Sequence, residues 1–114
     1  MHELSYMTGL AELAISAARE NGAQSVKKIT VDVGELTGVL PEYLHYYFPQ
    51  VVKGTVLENA SLSVNEVPIE AICNDCGNIY KPSRENDYRC PKCGSLNSKI
   101  TKGRDVELAS IEVD

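Results

Sequence analysis

The stretch KITVDVGEL, residues 28–36, decides the fold of this chain. Apolar and polar side chains alternate along it, so that Ile29, Val31 and Val33 lie on one face. Such alternation, with β-branched residues on the apolar face, is typical of a strand with one buried side. We therefore predict a β-strand here, with these three residues facing the core.

Two further segments predict strands beside it. Residues 60–67 (ASLSVNEV) and 105–113 (DVELASIEV) are again rich in alternating apolar residues. In the later segment the apolar phase slips between Leu108 and Ile111, which predicts a β-bulge there or burial on both faces. The expected sheet is small and three-stranded.

Two helices accompany these strands. Apolar residues recur at helical spacing over residues 6–21, with Ser5 as the expected N-cap. Pro41 suits the first turn of a second helix, and Pro49 is expected to end or kink that helix near Phe48. A small sheet with two helices on one face is an α+β fold.

The cysteines carry the strongest motif in the chain. CNDCG at residues 73–77 and CPKCG at residues 90–94 form the pattern C-x2-C-x13-C-x2-C. Two residues between cysteines let both sulfurs of a pair reach one ion, and the glycine that follows lets backbone N–H groups turn toward the sulfurs. Four thiolates complete a tetrahedral site, so we predict a zinc ribbon with a structural ion. The predicted zinc ligands are Cys73, Cys76, Cys90 and Cys93.

Two disulfides, a redox dithiol and a rubredoxin-type iron site are the alternatives. A redox C-x-x-C sits at a helix start in a βα unit, which neither pair matches. A rubredoxin-like site needs a tight aromatic core, whereas Tyr80 and Tyr88 are the only aromatic residues between positions 70 and 104. The colour of the pure protein distinguishes iron, which is red, from colourless zinc.

Pro68 and Gly103 bracket the cysteine motifs. We expect a zinc-ribbon domain at residues 70–103, inserted between the last two strands. The α+β domain then consists of residues 1–69 and 104–114.

Charge and hydropathy narrow the function. Residues 70–104 carry seven Lys/Arg and four Asp/Glu, a formal +3, and the remainder carries −8. Four thiolates on a divalent ion bring the insert close to neutral, so we expect no nucleic acid partner. No apolar run approaches the roughly 18 residues of a membrane span, and a signal-peptide pattern is absent. We therefore expect a cytoplasmic protein with no membrane partner.

The first three residues form a second candidate metal site. We expect Met1 to be retained because His2 is large, which leaves the α-amine free. The amine, a deprotonated His2 amide nitrogen and the His2 Nδ1 then close adjacent chelate rings, a coplanar set that suits Ni(II) or Cu(II). Glu3 is placed to add an oxygen ligand or to orient the group. By spacing alone, an ordinary histidine on a frayed end is the simpler explanation.

Other polar residues give weaker evidence of a functional site. His45 lies among helix aromatics and is expected to be a packing or surface residue. Glu35 is expected to be a solvated strand end, the alternative being that it faces a partner or the metal. No phosphate-binding loop, Ser/His/Asp set or cysteine outside the ribbon occurs, so we do not expect an enzyme.

Together, these motifs resemble the HypA/HybF family of hydrogenase nickel-incorporation proteins. The resemblance rests on the Met-His-Glu start, on Val33-Gly34-Glu35 in the strand and on the paired cysteine motifs, and it runs over essentially the whole chain. It implies that His2 binds nickel, with Met1 and Glu3 in the same motif, and that the four cysteines bind zinc.

The function implied by the resemblance is that of a nickel metallochaperone. Such a protein accepts Ni(II) and hands it to the large subunit of [NiFe]-hydrogenase, in some organisms to urease, with the GTPase HypB as a partner. A nucleic-acid-binding zinc ribbon and a structural adaptor without a nickel site are the alternatives. Both a monomer and a homodimer are compatible with the sequence.

Overall fold

The computed structural model describes residues 2–113, which form two α-helices and six strands in two sheets. The helices are α1 (Glu3–Glu20) and α2 (Pro41–Val52). The strands are β1 (Val26–Gly34), β2 (Ser61–Val67), β3 (Glu70–Cys73), β4 (Ile79–Tyr80), β5 (Ser98–Lys102) and β6 (Val106–Val113). Neither helix of this part of the chain has the length and apolar character needed to cross a membrane.

The first sheet has the order β2-β1-β6, which confirms the predicted three-stranded sheet. β1 runs parallel to β2, with α2 between them in the chain, and antiparallel to β6. Thr30 pairs with Ser110, and Val31 pairs with Leu108. Ala109 is therefore an extra residue in β6, and the predicted bulge is confirmed.

One buried cluster joins both helices to the first sheet, as expected for the α+β fold. Its members are the apolar residues that face inward from α1, β1 and α2 and from the segments around them. The largest that are fully buried are Met7, Ile29, Val31, Leu44, Val52 and Leu57. The apolar face predicted for β1 is thus the face that meets the core.

The first helix begins earlier than the sequence predicts, at Glu3 instead of residue 6. His2 is its N-cap, and the His2 carbonyl accepts the Tyr6 N–H at 3.0 Å. Ser5 therefore lies inside the helix and is not its cap. An acidic residue in the first turn is stabilised by the positive end of the helix dipole, which favours a start at Glu3.

The sequence predicts that the second helix either ends or kinks at Pro49. The helix does not end there but continues to Val52. Proline removes one backbone N–H and therefore one helical hydrogen bond. Leu44, Phe48 and Val52, spaced four residues apart, are all buried in the core. Packing on both sides of Pro49 offsets the missing bond and keeps the helix intact.

The second sheet has the order β4-β3-β5 and falls in the chain between β2 and β6. β3 pairs antiparallel with both neighbours. Its core is separate from that of the first sheet and consists of Ala71, Cys73, Tyr80 and Cys90, with Ile100 packed against them. A core this small needs a cross-link such as a bound metal to be stable.

The two sheets meet where the backbones of Gly34 and Gly103 come into contact. The Gly34 N–H donates to the Asp105 carbonyl, and the Leu36 N–H donates to the Gly103 carbonyl, each at 2.9 Å. A Cβ on Gly34 would overlap the carbonyl group of Gly103 and lie 2.9 Å from the Arg104 amide nitrogen. Only glycine fits at position 34.

Glu35 ties the same corner to the insert and is more than a solvated strand end. Its Oε1 accepts the Ile69 N–H at 3.0 Å and lies 3.1 Å from Lys81 Nζ. These contacts lower the pKa of Glu35, the hydrogen bond from Ile69 having the larger effect and that from Lys81 the next. Both charged side chains remain about half exposed, so the ion pair is the weaker link.

Gly34→Ala is expected to destabilise the protein, because the added methyl group overlaps the backbone of the insert. Overpacking of this kind typically costs about 1–3 kcal/mol. The matched control is Gly9→Ala in α1, where an added Cβ meets nothing within 4 Å. Alanine is the better helix former by about 0.5–1 kcal/mol, so the control should gain stability. Urea denaturation measures both, and an unchanged midpoint for Gly34→Ala would contradict the close contact.

Candidate metal centres

The two cysteine pairs lie in turns with the same hydrogen bonds. In the first turn the Cys73 N–H donates to the Asn78 carbonyl at 2.9 Å, and the Gly77 N–H donates to the Cys73 carbonyl at 2.8 Å. The same two bonds, with the same lengths, recur in the turn that begins at Cys90. Gly77 and Gly94 both have a φ of 77°, the left-handed conformation expected of the glycine after each pair.

These turns bring four thiols to one point. The four sulfurs lie within 4.8 Å of one another, with 3.5 Å between those of Cys73 and Cys93 and 3.6 Å between those of Cys76 and Cys90. Sulfurs around a tetrahedral zinc, with bonds of about 2.3 Å, are roughly 3.8 Å apart. All four cysteines are free, so the disulfide alternative is not realised. The geometry fits one tetrahedral ion.

The cluster is closed on one side and open on the other. Cys73 and Cys90, the first cysteines of their pairs, are each 1% exposed, whereas Cys76 and Cys93 are exposed. Each turn therefore contributes one buried cysteine and one exposed cysteine.

Amide groups stabilise negative charge on Cys90. Burial raises the pKa of this thiol, but the backbone amides of Cys93 and Lys92 and the side chain of Asn78 lower it more, to about 6. The thiolate is the form that binds metal, so these donors favour ligation.

Crowding has the opposite effect at Cys93. The Ser95 amide lowers the pKa of Cys93. The neighbouring Cys73 sulfur and burial raise it by more than this, so that the pKa rises to about 12. Four thiolates at this separation repel one another, and a divalent cation among them removes that repulsion. The cluster therefore has the charge as well as the shape of a metal site.

The structure places the predicted nickel ligand His2 at the start of α1. Its carbonyl is bonded to the Tyr6 N–H, and its side chain is exposed and does not cap the helix. Met1, the predicted amine ligand, lies outside the described residues. His45 is exposed on α2, which is compatible with the expected surface role.

Glu3, the third residue of the predicted nickel site, is a buried charged residue with 5% exposure. Its Oε2 accepts the Leu40 N–H at 3.2 Å. This hydrogen bond fixes the first turn of α1 to the residue that precedes α2. Glu3 therefore has a structural contact whatever it does toward a metal.

Sequence reasoning missed the polar residues that join the two cysteine turns. The Ser95 hydroxyl donates to an Asp75 oxygen, and Asn97 Nδ2 lies 3.4 Å from the other oxygen. Asn74 Nδ2 donates to Asn97 Oδ1 at 3.0 Å. One signal was present in the sequence, because Asn78 and Ser95 both lie two residues after the last cysteine of a pair.

Comparisons with known proteins agree on one family. The family described as "Hydrogenase/urease nickel incorporation, metallochaperone, hypA" matches residues 1–113. The hydrogenase maturation factors HypA of Aquifex aeolicus and Picosynechococcus sp. are 40% and 37% identical, over 100% and 99% of this chain and 98% and 99% of theirs. The solution structure of the Ni metallochaperone HypA from Helicobacter pylori has a TM-score of 0.75 at 29% identity, covering 99% of this chain and 97% of that one.

Fold and site define a small α+β protein with a four-cysteine metal site on a second sheet. With its full-length relatives, this chain belongs to the HypA family of nickel metallochaperones for hydrogenase and urease maturation. The resemblance seen in the sequence is confirmed. The family consists of metallochaperones and not of enzymes, as predicted. Membership in it decides against the two alternative functions, a nucleic-acid-binding zinc ribbon and a structural adaptor without a nickel site.

Glu3→Ala is expected to lower the urea midpoint, because the Leu40 N–H loses its acceptor and the first turn of α1 loses its anchor. Glu3→Gln keeps an acceptor oxygen and should lie between the alanine variant and wild type. The matched control is Glu12→Ala, an exposed residue on the same helix, which should leave the midpoint nearly unchanged. Equal midpoints for Glu3→Ala and Glu12→Ala would rule out a structural role for the Glu3 carboxylate.

Proposed function

We propose that this protein binds Ni(II) at its N-terminus, through Met1, His2 and Glu3, and delivers it to a maturing [NiFe]-hydrogenase. One observation carries the proposal. In a member of a nickel metallochaperone family, the only histidine near the terminus is exposed and stands directly at the start of a helix.

The N-cap position suits a chelate that includes the His2 amide nitrogen. The first N–H groups of a helix have no intrahelical acceptor, so removal of the His2 amide proton breaks no helical hydrogen bond. The positive end of the helix dipole favours the negative charge that deprotonation leaves. With the Met1 amine and the His2 Nδ1, this nitrogen completes a coplanar set of the kind that Ni(II) accepts.

Glu3 supports the same end of the helix. Its hydrogen bond with the Leu40 N–H holds the first turn of α1 in place. Met1 and His2 are therefore attached to a helix end whose position is fixed. We propose that the Glu3 carboxylate also places negative charge, and an oxygen donor, beside the chelate.

Delivery requires ligands that a recipient can replace one at a time. An exposed imidazole next to a chain terminus meets that requirement, because no part of the core must open to release it. We propose that the recipient is the large subunit of [NiFe]-hydrogenase, with urease as a second destination. We further propose that the GTPase HypB is the partner in this transfer.

The four cysteines, on this proposal, hold Zn(II) as a structural ion. Protein fills all four positions of such a site and leaves none for water. The surroundings favour zinc over rubredoxin-type iron, because Tyr80 packs in the small core while Tyr88 is 55% exposed. A bound ion also supplies the cross-link that this core needs.

We propose that the chain consists of two units, each of which binds one of the two metals. Residues 1–69 and 104–114 form the nickel-binding unit, and residues 70–103 form the zinc ribbon. The separate cores of the two sheets support this division. Free thiols gathered into a metal site are typical of a reducing compartment, so we infer that the protein works in the cytoplasm.

His2→Ala is expected to abolish tight Ni(II) binding, because it removes the imidazole that closes the chelate. Calorimetry with Ni(II), on zinc-loaded protein that has no tag before Met1, measures the affinity. His45→Ala is the matched control, since His45 is the only other histidine, and it should bind as the wild type does.

A variant with two residues added ahead of Met1 tests the amine in the same experiment. It should also lose tight binding, because the α-amine no longer lies next to His2. Wild-type affinity in His2→Ala would contradict the site, whereas wild-type affinity in the extended protein would exclude only the amine.

Metal analysis of the purified protein is expected to give zinc at one ion per chain in a colourless solution. A red solution would identify iron instead. Removal of the zinc by a chelator should expose the amides of β3 and β5 to hydrogen exchange, while those of β1 stay protected by their separate core. Equal loss of protection in both sheets would contradict the division into two units.

A further inference from the structure

Asn78 contacts both cysteine turns. Its carbonyl accepts the Cys73 N–H at 2.9 Å, and its Nδ2 donates to the Cys90 sulfur at 3.6 Å. The first contact is made by the backbone within one turn. The second crosses to the other turn and depends on the asparagine side chain.

Within the described residues, the second turn has no matching contact from a side-chain N or O atom to a sulfur. Ser95 occupies the equivalent position, and its carbonyl accepts the Cys90 N–H in the equivalent backbone bond. Its hydroxyl, however, donates to Asp75. Among the described residues the support is therefore one-sided, since the Cys90 sulfur receives a side-chain amide N–H and the Cys73 sulfur receives none from a side chain.

We propose that Asn78 is a positioning residue of the metal site, which holds the sulfur of the buried Cys90 on the ion, beside the exposed residues Cys76 and Cys93. This role presupposes the four-cysteine metal site proposed above. An N–H directed at a metal-bound thiolate disperses its negative charge and reduces its reactivity toward electrophiles. Cys90, buried as well as hydrogen-bonded, then becomes the most durable ligand.

The contrary view is that Asn78 only fills space beside the turn. Asn78→Asp separates the two roles, because aspartate keeps the shape and the backbone contacts but presents an acceptor to the thiolate instead of a donor. Asn78→Ala removes the side-chain contact altogether. Asn65→Ala is the matched control, since Asn65 also donates through Nδ2, to Asp32 at 3.2 Å, but does so in the first sheet.

The test is time-resolved alkylation of the zinc-loaded protein with N-ethylmaleimide, with each cysteine followed by mass spectrometry. In the wild type, Cys76 and Cys93 should react first. Asn78→Ala should raise the rate at Cys90 about tenfold, the factor expected for loss of a hydrogen bond to a charged group. Asn78→Asp should raise it at least as much, and Asn65→Ala should leave all four rates unchanged.

Zinc content, measured first, separates this role from the metal site itself. A wild type that holds no zinc would overturn both proposals. Wild-type reactivity of Cys90 in zinc-loaded Asn78→Asp, or equal acceleration at all four cysteines, would overturn the positioning role alone. If an Asn78 variant loses zinc too readily for alkylation, its rate of zinc transfer to a chromophoric chelator decides. Faster transfer than from Asn65→Ala supports the role, and equal transfer contradicts it.

Discussion

Direct contact between two backbones, at Gly34 and Gly103, is the constraint on which the rest of this structure depends. Gly34 ends the central strand of the first sheet, and Gly103 follows the last strand of the second. Because no side chain separates them, Glu35 comes close enough to accept the Ile69 N–H at the entry to the insert. Two cores, each modest in size, are thereby held in one molecule.

The strands could be predicted from sequence because their apolar alternation is a local property. The predicted limits of β1, β2 and β6 lie within two residues of those observed. The helix limits failed where a distant contact decides them. The start of α1 at Glu3 depends on the acceptor that Leu40 needs, and α2 passes Pro49 because Leu44, Phe48 and Val52 are buried. Neither contact is visible in the residues around the helix end.

In the candidate metal site, too, the local features could be predicted from the sequence, and the contacts between distant residues could not. Cysteine spacing and the glycine after each pair determine a turn locally, so the convergence of four thiols followed from the sequence. Which sulfurs are buried depends on how the two turns face each other. The reach of Asn78 to Cys90, and of Ser95 to Asp75, joins residues that are distant in the chain. Such contacts need the assembled turns and have no signature in spacing alone.

Pairing of Glu70 with Lys102 at the base of the insert has a consequence for the order of folding. β6 follows the insert in the chain and must find β1 across it. For an unfolded insert, the entropy lost on closing this loop grows with the logarithm of its length. Once β3 and β5 are paired, the loop ends already lie about one strand spacing, roughly 5 Å, apart. Metal binding by the insert thus favours the pairing of β6 with β1, although the metal site lies outside the first sheet.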